Sequence, residues 1–210
     1  MKFSEEILES LRCPETNDKL IYQDLLLINK NNNKIKYPIV NQIPILINNN
    51  NSLFKIKDFE NEENLSFDLN NNLFFNTMKS ITPSISLNMK AKNNYRKISN
   101  MLLENAKILV IGGSIKGCGI EELYRNKFDI IEGDVHFGPH TKIIFDAHDI
   151  PFADDTFDCV IVQAVLEHVL NPVRCVSEIH RVLSKNGLVY SEVPFIQQVH
   201  MKEFDFTRFT

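Results

Sequence analysis

The stretch that decides the fold begins Ile108-Leu109-Val110-Ile111-Gly112-Gly113-Ser114 and ends at Val193. An apolar strand that opens into glycines lets the backbone approach a ligand closely. The next apolar run ends in Gly133-Asp134, and an acid at that place can hold ribose hydroxyls. Together these features predict a nucleoside-binding sheet of the α/β class.

Three later segments also combine apolar residues, as in strands, with polar residues at or near the strand ends. They are Asp146-Ala147-His148-Asp149-Ile150-Pro151-Phe152, Phe157-Asp158-Cys159-Val160-Ile161-Val162 and Leu188-Val189-Tyr190-Ser191-Glu192-Val193. The run Cys159 to Val162 is typical of a parallel strand buried on both faces. Ligands of open α/β sheets bind at the carboxyl ends of strands, so Gln163 is predicted to lie beside the ligand.

The ordered set of segments resembles the class I S-adenosylmethionine-dependent methyltransferases, particularly the methyltransferase type 11 group. The most specific residues are Asp146-Ala147 through Pro151-Phe152, Phe157-Asp158 and Glu167-His168. The resemblance covers roughly residues 105–210 and implies a Rossmann-like methyltransferase sheet with S-adenosylmethionine as cofactor. The family's fold has seven strands and the sequence yields five, so we expect a sheet that is truncated after the fifth strand.

The resemblance also implies which residues bind the cofactor. Asp134 would bind the ribose hydroxyls, and the Asp146 carboxylate would accept from the exocyclic amine of adenine while a backbone N–H beside Ala147 faces a ring nitrogen. Gln163 would lie beside the methionine part. The predicted cofactor-binding residues are Gly112, Gly113, Ser114, Gly117, Asp134, Asp146, Ala147 and Gln163.

The glycine motif departs from the family pattern in two places. Val110 stands where an acid usually supports the amino-acid end of the cofactor, and Ser114 replaces the second glycine. The loop is longer, with Gly117 and Gly119 following. The missing acid would weaken binding unless the longer loop compensates.

Two acids follow this loop. Glu121 and Glu122 fall in the first turn of a helix predicted over Ile120 to Asn126, where acids suit the helix dipole. They would repel a pyrophosphate, which dinucleotide-binding folds place at this helix end. The local charge therefore favours S-adenosylmethionine over NAD, provided that the two side chains do not point away.

The last segment resembles the substrate-side loop of type 11 methyltransferases. His200 is a candidate base if the acceptor is a hydroxyl, and Arg208 is a candidate ligand for a carboxylate or phosphate. An Asp205–Arg208 ion pair that fixes the loop is the favoured alternative. His168 is predicted to pack structurally. The preceding helix begins at Asn171-Pro172, and its predicted apolar face consists of Val173, Val176, Ile179, Val182 and Leu183.

Residues 1–50 are predicted to form a small β-rich module. Leu11-Arg12-Cys13-Pro14, Tyr37-Pro38-Ile39 and Ile43-Pro44-Ile45-Leu46 resemble the zinc-ribbon-like domain that activates several methyltransferases. A zinc ribbon needs four ligands, and here Cys13 is followed by Thr16 with no second Cys pair. We therefore predict no metal and a module held by its aliphatic core.

Residues 51–104 are predicted to be a linker with a lid-like helical segment, and residues 105–210 the methyltransferase domain. A helix is predicted from Asn93 to Leu103. The short sheet would expose the edge of its fifth strand, and exposed edges invite pairing. We expect a protein partner or the N-terminal module to cover that edge, unless the chain is a fragment.

The composition of the chain limits the classes of protein to which it can belong. The 210 residues are 43% hydrophobic with a net charge of −4, which indicates a globular protein and no strong nucleic-acid signal. No signal peptide or membrane span is visible, and four unpaired cysteines indicate a reduced, cytoplasmic protein.

Three functions remain open at this stage. The favoured one is methyl transfer from S-adenosylmethionine to a glycan, a lipid or another small molecule. The second is a non-catalytic cofactor-binding or regulatory protein, which the missing motif acid and strands suggest. The third is an NAD-dependent oxidoreductase, which the glycine-rich turn alone would allow.

Overall fold

A computed structural model describes residues 3–60, 90–195 and 204–210, and in these ranges the strands form one nine-stranded sheet. The helices are α1 (Glu5–Ser10), α2 (Ile56–Glu60), α3 (Ala91–Met101) and α4 (Pro172–Val182). The strands are β1 (Leu20–Gln23), β2 (Leu26–Asn29), β3 (Lys36–Val40), β4 (Ile43–Leu46), β5 (Lys107–Ile111), β6 (Asp129–Asp134), β7 (Ile143–Phe145), β8 (Phe157–Gln163) and β9 (Leu183–Glu192). Their order across the sheet is β1-β2-β3-β4-β7-β6-β5-β8-β9.

The N-terminal module is a β-meander preceded by α1. The Ser4 side chain caps α1 by accepting from the backbone N–H of Ile7. Two-residue turns with positive φ at both positions connect β1 to β2 and β3 to β4, and this geometry matches the twist of the paired strands. The turns are Asp24-Leu25 and Asn41-Gln42.

The module's last strand continues the methyltransferase sheet. β4 pairs in parallel with β7, with Ile45 opposite Ile144 and Leu46 opposite Phe145. All four side chains are fully buried or nearly so. The suggestion that the module covers the edge of the fifth strand was wrong, because the module occupies the opposite edge of the sheet.

The strands β5 to β9 are parallel and carry apolar clusters on both faces. One cluster contains Leu109 and Val160, and the other contains Ile108 and Ile161, because successive side chains point to opposite faces. The continuous apolar runs that predicted these strands therefore reflect burial on two sides. In the part of the chain that the structure describes, β9 pairs with β8 alone.

The helix predicted over Ile120 to Asn126 is present as a 3₁₀ helix, Ile120–Arg125. Two other local predictions were wrong in detail. The strand β9 begins at Leu183, before the predicted start at Leu188. In α4 the buried residues are Cys175, Ile179 and Val182, whose spacing follows the helical period. Val173 and Val176, predicted to be buried, are exposed because they lie on the outer side of that helix.

Two findings concern the described residues only. No helix among them is long and apolar enough to cross a bilayer. Nor do residues 3–60, 90–195 and 204–210 contain a group of three or more His, Cys, Asp or Glu side chains placed to hold a metal. Cys13 is buried and its sulfur lies 3.2 Å from the Tyr37 hydroxyl, so it packs in the module's core.

Candidate cofactor site

One cavity lies where the strand order reverses. From β5 the chain adds β6 and β7 on one side and β8 and β9 on the other, and ligands of open α/β sheets bind at this switch point. The cavity has a volume of about 430 Å³ and lies at the carboxyl ends of β5 to β8. Its size is within the usual range for small-molecule sites. Of the predicted residues, it is lined by Gly112, Ser114, Asp134, Asp146 and Ala147.

Gly112 is the residue at which the backbone turns out of β5. Its φ is +77°, and a Cβ at this place would lie 2.3 Å from Cγ2 of Val165. Both observations require glycine, because L residues are strained at positive φ and Val165 forms the opposite wall. The close approach keeps the loop backbone at the cavity surface.

We expect Gly112→Ala to destabilise the protein by about 2–4 kcal/mol, from left-handed strain and overpacking together. Urea unfolding measures this effect, with Gly187→Ala in β9 as the matched control. A Cβ at Gly187 would also clash, with Cγ and Cδ1 of Leu183 at 2.8 Å and the Ser184 carbonyl oxygen at 2.9 Å, but no positive φ adds to that strain. The extra loss in Gly112→Ala therefore measures the left-handed backbone strain. Equal losses in the two variants would contradict the assigned role of Gly112.

Asp134 ties the glycine loop to the end of β6. Its carboxylate oxygens accept hydrogen bonds from the backbone N–H groups of Ser114, at 3.0 Å, and His136, at 3.2 Å. Burial lowers the pKa of the neighbouring His136, and the Asp134 carboxylate partly offsets that effect. The carboxylate is half-buried at the cavity surface, where it can accept further hydrogen bonds from ligand hydroxyls.

Asp146 is the most extensively bonded acid of the cavity. Its Oδ1 accepts from the backbone N–H of His148 at 3.0 Å and lies 2.5 Å from His148 Nδ1. The Nε2 atom of His148 accepts from the backbone N–H of Asn171, which places the ring proton on Nδ1. Burial would raise the pKa of the Asp146 carboxyl, but hydrogen bonds from His148 and Ser52 outweigh it and hold that pKa below its ordinary value.

One wall of the cavity is formed by Asn51, Leu53 and Phe54, at the start of the segment predicted as a linker with a lid-like part. Ser52 donates to Oδ2 of Asp146 at 2.6 Å, and Asn48 and Asn51 donate to Oδ2 of Asp149 at 3.2 and 2.8 Å. Asp149 also pairs with Arg174. The Asn-rich run therefore fixes this segment against the loop after β7.

Aromatic rings close the cavity on the side of the chain's last residues. Phe54 stacks on Phe204, with ring centroids 5.9 Å apart and an interplanar angle of 14°. The edge-to-face contact of Phe54 with His136 has a centroid distance of 5.8 Å. His168 also lines the cavity, and its Nδ1 lies 2.7 Å from the Phe204 carbonyl oxygen. This contact attaches the last segment to the loop after β8.

Three predicted cofactor residues lie at a second, smaller cavity of about 50 Å³. These are Gly113, Gly117 and Gln163. Gln163 accepts from the Tyr95 hydroxyl at 3.1 Å and donates to Glu192 at 2.7 Å, and a Cβ at Gly117 would overlap its side-chain oxygen. The side chain of Gln163 thus belongs to a network that links α3 to β9.

The predicted substrate residues are placed as follows. Arg208 makes a two-pronged ion pair with Asp205, and the backbone N–H groups of Phe206 and Thr207 donate to the Glu167 carbonyl oxygen. The favoured alternative, an ion pair between Asp205 and Arg208, is thus present. His200 lies outside the described residues.

The two acids after the glycine loop, Glu121 and Glu122, do not provide the predicted repulsion of a pyrophosphate. Glu122 is buried and is surrounded by Lys92, Arg96 and Arg125, with its oxygens 2.9–3.5 Å from their nitrogens. These cations balance its charge, so it contributes little repulsion to a phosphate. Glu121 is exposed.

Comparison with known proteins agrees with this geometry. The family described as "Methyltransferase domain" (Methyltransf_11) matches residues 121–191. No curated protein sequence matches the chain. The structurally similar proteins include the MccD protein, a complex containing the Haloferax volcanii Trm112 methyltransferase activator, and a SAM-dependent methyltransferase from Methanosarcina mazei.

These structural similarities are partial. MccD has a TM-score of 0.43 and 17% identity over 54% of this chain and 57% of that one. The Haloferax volcanii complex has a TM-score of 0.39 and 20% identity over 50% of this chain and 52% of that one. The Methanosarcina mazei protein has a TM-score of 0.37 and 27% identity over 46% of this chain and 56% of that one. The chain thus spans about half the length of the solved structures it matches. With TM-scores below 0.5, these similarities describe only a partial likeness between the structures.

The parallel sheet, with its glycine turn and acidic strand ends, defines an α/β domain of the Rossmann-like class. Residues 121–191 match the methyltransferase domain family, and this match together with the parallel sheet supports a class I S-adenosylmethionine-dependent methyltransferase fold for this part of the chain. S-adenosylmethionine is accordingly the cofactor of this domain. The residues at the cavity are suited to it, because the Asp134 and Asp146 carboxylates offer acceptors to hydroxyl and amine donors.

Proposed function

We propose that the protein transfers a methyl group from S-adenosylmethionine to a small acceptor bound at the same cavity. The observation that carries this proposal is the cavity at the switch point, with a glycine turn and two carboxylates, Asp134 and Asp146, at its surface. The family match to a methyltransferase domain supports the same reaction. Asp134 would bind the ribose hydroxyls, and Asp146 with Ala147 would bind the adenine.

The remaining cofactor contacts would come from Gly112, Gly113, Ser114, Gly117 and Gln163. When bound, the cofactor supplies an electrophilic methyl group on a sulfonium centre. The chain's own contribution is to hold the acceptor in line with that group and to exclude water. Because Gln163 is bonded to Tyr95 and Glu192, its engagement with the methionine end requires this network to rearrange.

The surroundings of the cavity favour an apolar acceptor, such as a lipid or another apolar small molecule, over a glycan. Leu53, Ile115 and Leu170 line the cavity and remain 48–53% exposed, and the Phe54 and Phe204 rings add apolar surface. A sugar would leave its hydroxyls without partners against such a surface. His200 is the candidate base for an acceptor that must lose a proton.

Arg208 and Asp205 are proposed substrate residues, but they can bind a substrate only if their mutual ion pair opens. The Arg208 guanidinium is bound by the Asp205 carboxylate, so it would bind an anionic group of the acceptor only after this pair opens. As long as the pair is closed, it holds the last segment beside the cavity. Phe204, the residue before Asp205, lines the cavity, so an acceptor would reach this pair only by extending toward the last segment.

A non-catalytic cofactor-binding or regulatory protein is the second candidate. It is favoured by Val110, which replaces the usual motif acid, and by the constricted second cavity around Gln163. Such a protein would bind the cofactor and its demethylated product without turnover. A protein partner along the edge of β9 would fit either candidate, because exposed strand edges favour pairing.

The test is calorimetric titration of the full chain with S-adenosylmethionine, S-adenosylhomocysteine and NAD. We expect micromolar binding of the first two and no saturable binding of NAD. Methyl transfer to a panel of apolar hydroxyl and amine acceptors, followed by mass spectrometry, then separates the two candidates. A folded protein that binds NAD instead would assign it to the oxidoreductases.

A further inference from the structure

Ser52 is a buried residue that lies in the chain between Asn51 and Leu53, two residues that line the cavity. It is 7% exposed, and its hydroxyl makes two hydrogen bonds. One goes to Oδ2 of Asp146 at 2.6 Å, and the other comes from the backbone N–H of Phe54 at 3.1 Å. A hydroxyl has a single proton. Because an N–H can only donate, that proton is directed to Asp146.

Hydrogen bonds from described residues occupy most of the acceptor sites of the Asp146 carboxylate. A carboxylate offers about four acceptor sites. The His148 backbone N–H and Nδ1 occupy the two sites of Oδ1, and the Ser52 hydroxyl occupies one site of Oδ2. A single acceptor site remains on Oδ2 of a residue that lines the cavity. The carboxylate can therefore accept from one further donor, and Ser52 fixes the orientation of that site.

The second hydrogen bond of Ser52 constrains the backbone of Phe54, a residue that lines the cavity. Phe54 follows Ser52 by two residues, and its ring lines the cavity between His136 and Phe204. The Ser52 hydroxyl therefore bonds both to the Phe54 backbone and to the Asp146 carboxylate, and Phe54 and Asp146 both line the cavity. A planar ligand with an N–H donor at its edge fits between these two groups, because the ring offers stacking and the carboxylate offers one acceptor.

We propose that Ser52 is a positioning residue that sets the site's specificity for a purine with an exocyclic amine. By presenting one acceptor of Asp146 and holding Phe54 over the base, it makes the N-terminal segment part of the nucleoside site. The inference rests on the proposed function, since it concerns the same cavity. Discrimination between purines would therefore require Ser52, which lies outside the predicted methyltransferase domain, residues 105–210.

The experiment compares two nucleosides that differ only in the amine. Calorimetry measures the affinities of adenosine and of purine riboside, which lacks the 6-amino group, for the full chain. We expect the wild type to prefer adenosine by about tenfold or more, the loss typical of one hydrogen bond to a charged group. Ser52→Ala should reduce this preference to less than about threefold. A purely structural serine would lower both affinities together and keep their ratio.

Two further variants complete the comparison. Ser10→Ala removes a serine hydroxyl that bonds within α1, far along the chain from the cavity, and should keep the wild-type ratio. Ser52→Cys preserves the side-chain volume but donates only weakly, so it keeps the test available if the alanine variant does not fold. Its preference should fall in the same direction.

The outcomes separate this inference from the proposed function. If the wild type binds S-adenosylhomocysteine and keeps the same adenosine preference after both Ser52 substitutions, the role of Ser52 is refuted while the cofactor site stands. A wild type that binds adenosine and purine riboside equally also refutes it. If the folded wild type does not bind S-adenosylhomocysteine, the proposed function fails and the inference fails with it.

Discussion

Replacing Asp134 by alanine is expected to abolish measurable S-adenosylmethionine binding. The carboxylate is the acceptor at the end of β6 that would bind two ribose hydroxyls, and it also accepts from the backbone N–H groups of Ser114 and His136. Hydrogen bonds to a charged group contribute about 1.5–3 kcal/mol each. Losing two such ligand contacts therefore lowers the affinity by about 100-fold or more.

Two control variants separate the ligand contacts from the loop contacts. Asp154→Ala removes an exposed acid that pairs with Arg181, and it should leave the affinity unchanged because surface pairs contribute little. Asp134→Asn preserves the shape and one acceptor oxygen, so it should retain more binding than Asp134→Ala. Calorimetry measures the affinities, and urea unfolding shows whether each variant is folded. Unchanged affinity in a folded Asp134→Ala would remove Asp134 from the cofactor site.

The sequence was sufficient to predict the strands of the methyltransferase domain. Parallel strands that are buried on both faces appear as continuous apolar runs, and β5 and β8 contain such runs. The polar residues at the ends of β6 and β7, Asp134 and Asp146, do line one cavity because the carboxyl ends of parallel strands meet at the same edge. The existence of the module's strands followed in the same way from aliphatic runs between turn residues.

The sequence could not indicate which residues the N-terminal segment brings to the cavity. Ser52 and Asp146 are 94 positions apart, and their contact depends on the parallel pairing of β4 with β7. Local patterns of hydrophobicity do not encode a pairing over such a separation. Asn48 and Asn51 carry no such signal either, because asparagine is common in turns whatever it contacts.

A similar limit explains the placement of Gln163. Its position at the end of β8 was predictable, but the side chain can point to either side of the strand end. The structure shows it bonded to Tyr95 and Glu192, residues of α3 and β9. Their polar groups are individually common in loops and strand ends, so no sequence signal distinguished this network from a ligand contact.

Replacing Ile45 by alanine is expected to destabilise the whole protein in one step. Ile45 lies opposite Ile144 in the β4–β7 pair, and both are fully buried in a cluster with Ile47 and Phe59. Truncating a buried isoleucine costs about 2–5 kcal/mol. In a chain of this size each kcal/mol lowers Tm by roughly 2–4 °C.

The shape of the unfolding transition tests how the N-terminal module and the methyltransferase domain are coupled. Because β4 supplies a strand to the shared sheet, we expect Ile45→Ala to shift a single cooperative transition, measured by calorimetry and by circular dichroism. Ile21→Ala is the matched control, since Ile21 lies 45% exposed on the edge strand β1 and its truncation should have a small effect.

The same substitution should also weaken cofactor binding, because Ser52 and Asn48 follow β4 directly and reach Asp146 and Asp149 from there. Loosening β4 therefore raises the free energy needed to form one wall of the cavity, even though Ile45 does not line it. Two separate transitions, of which Ile45→Ala moves only the one assigned to the module, would contradict this coupling. In that case, cofactor affinity would remain at the wild-type value, and the wall formed by residues 48–54 would hold to the domain without the strand pairing.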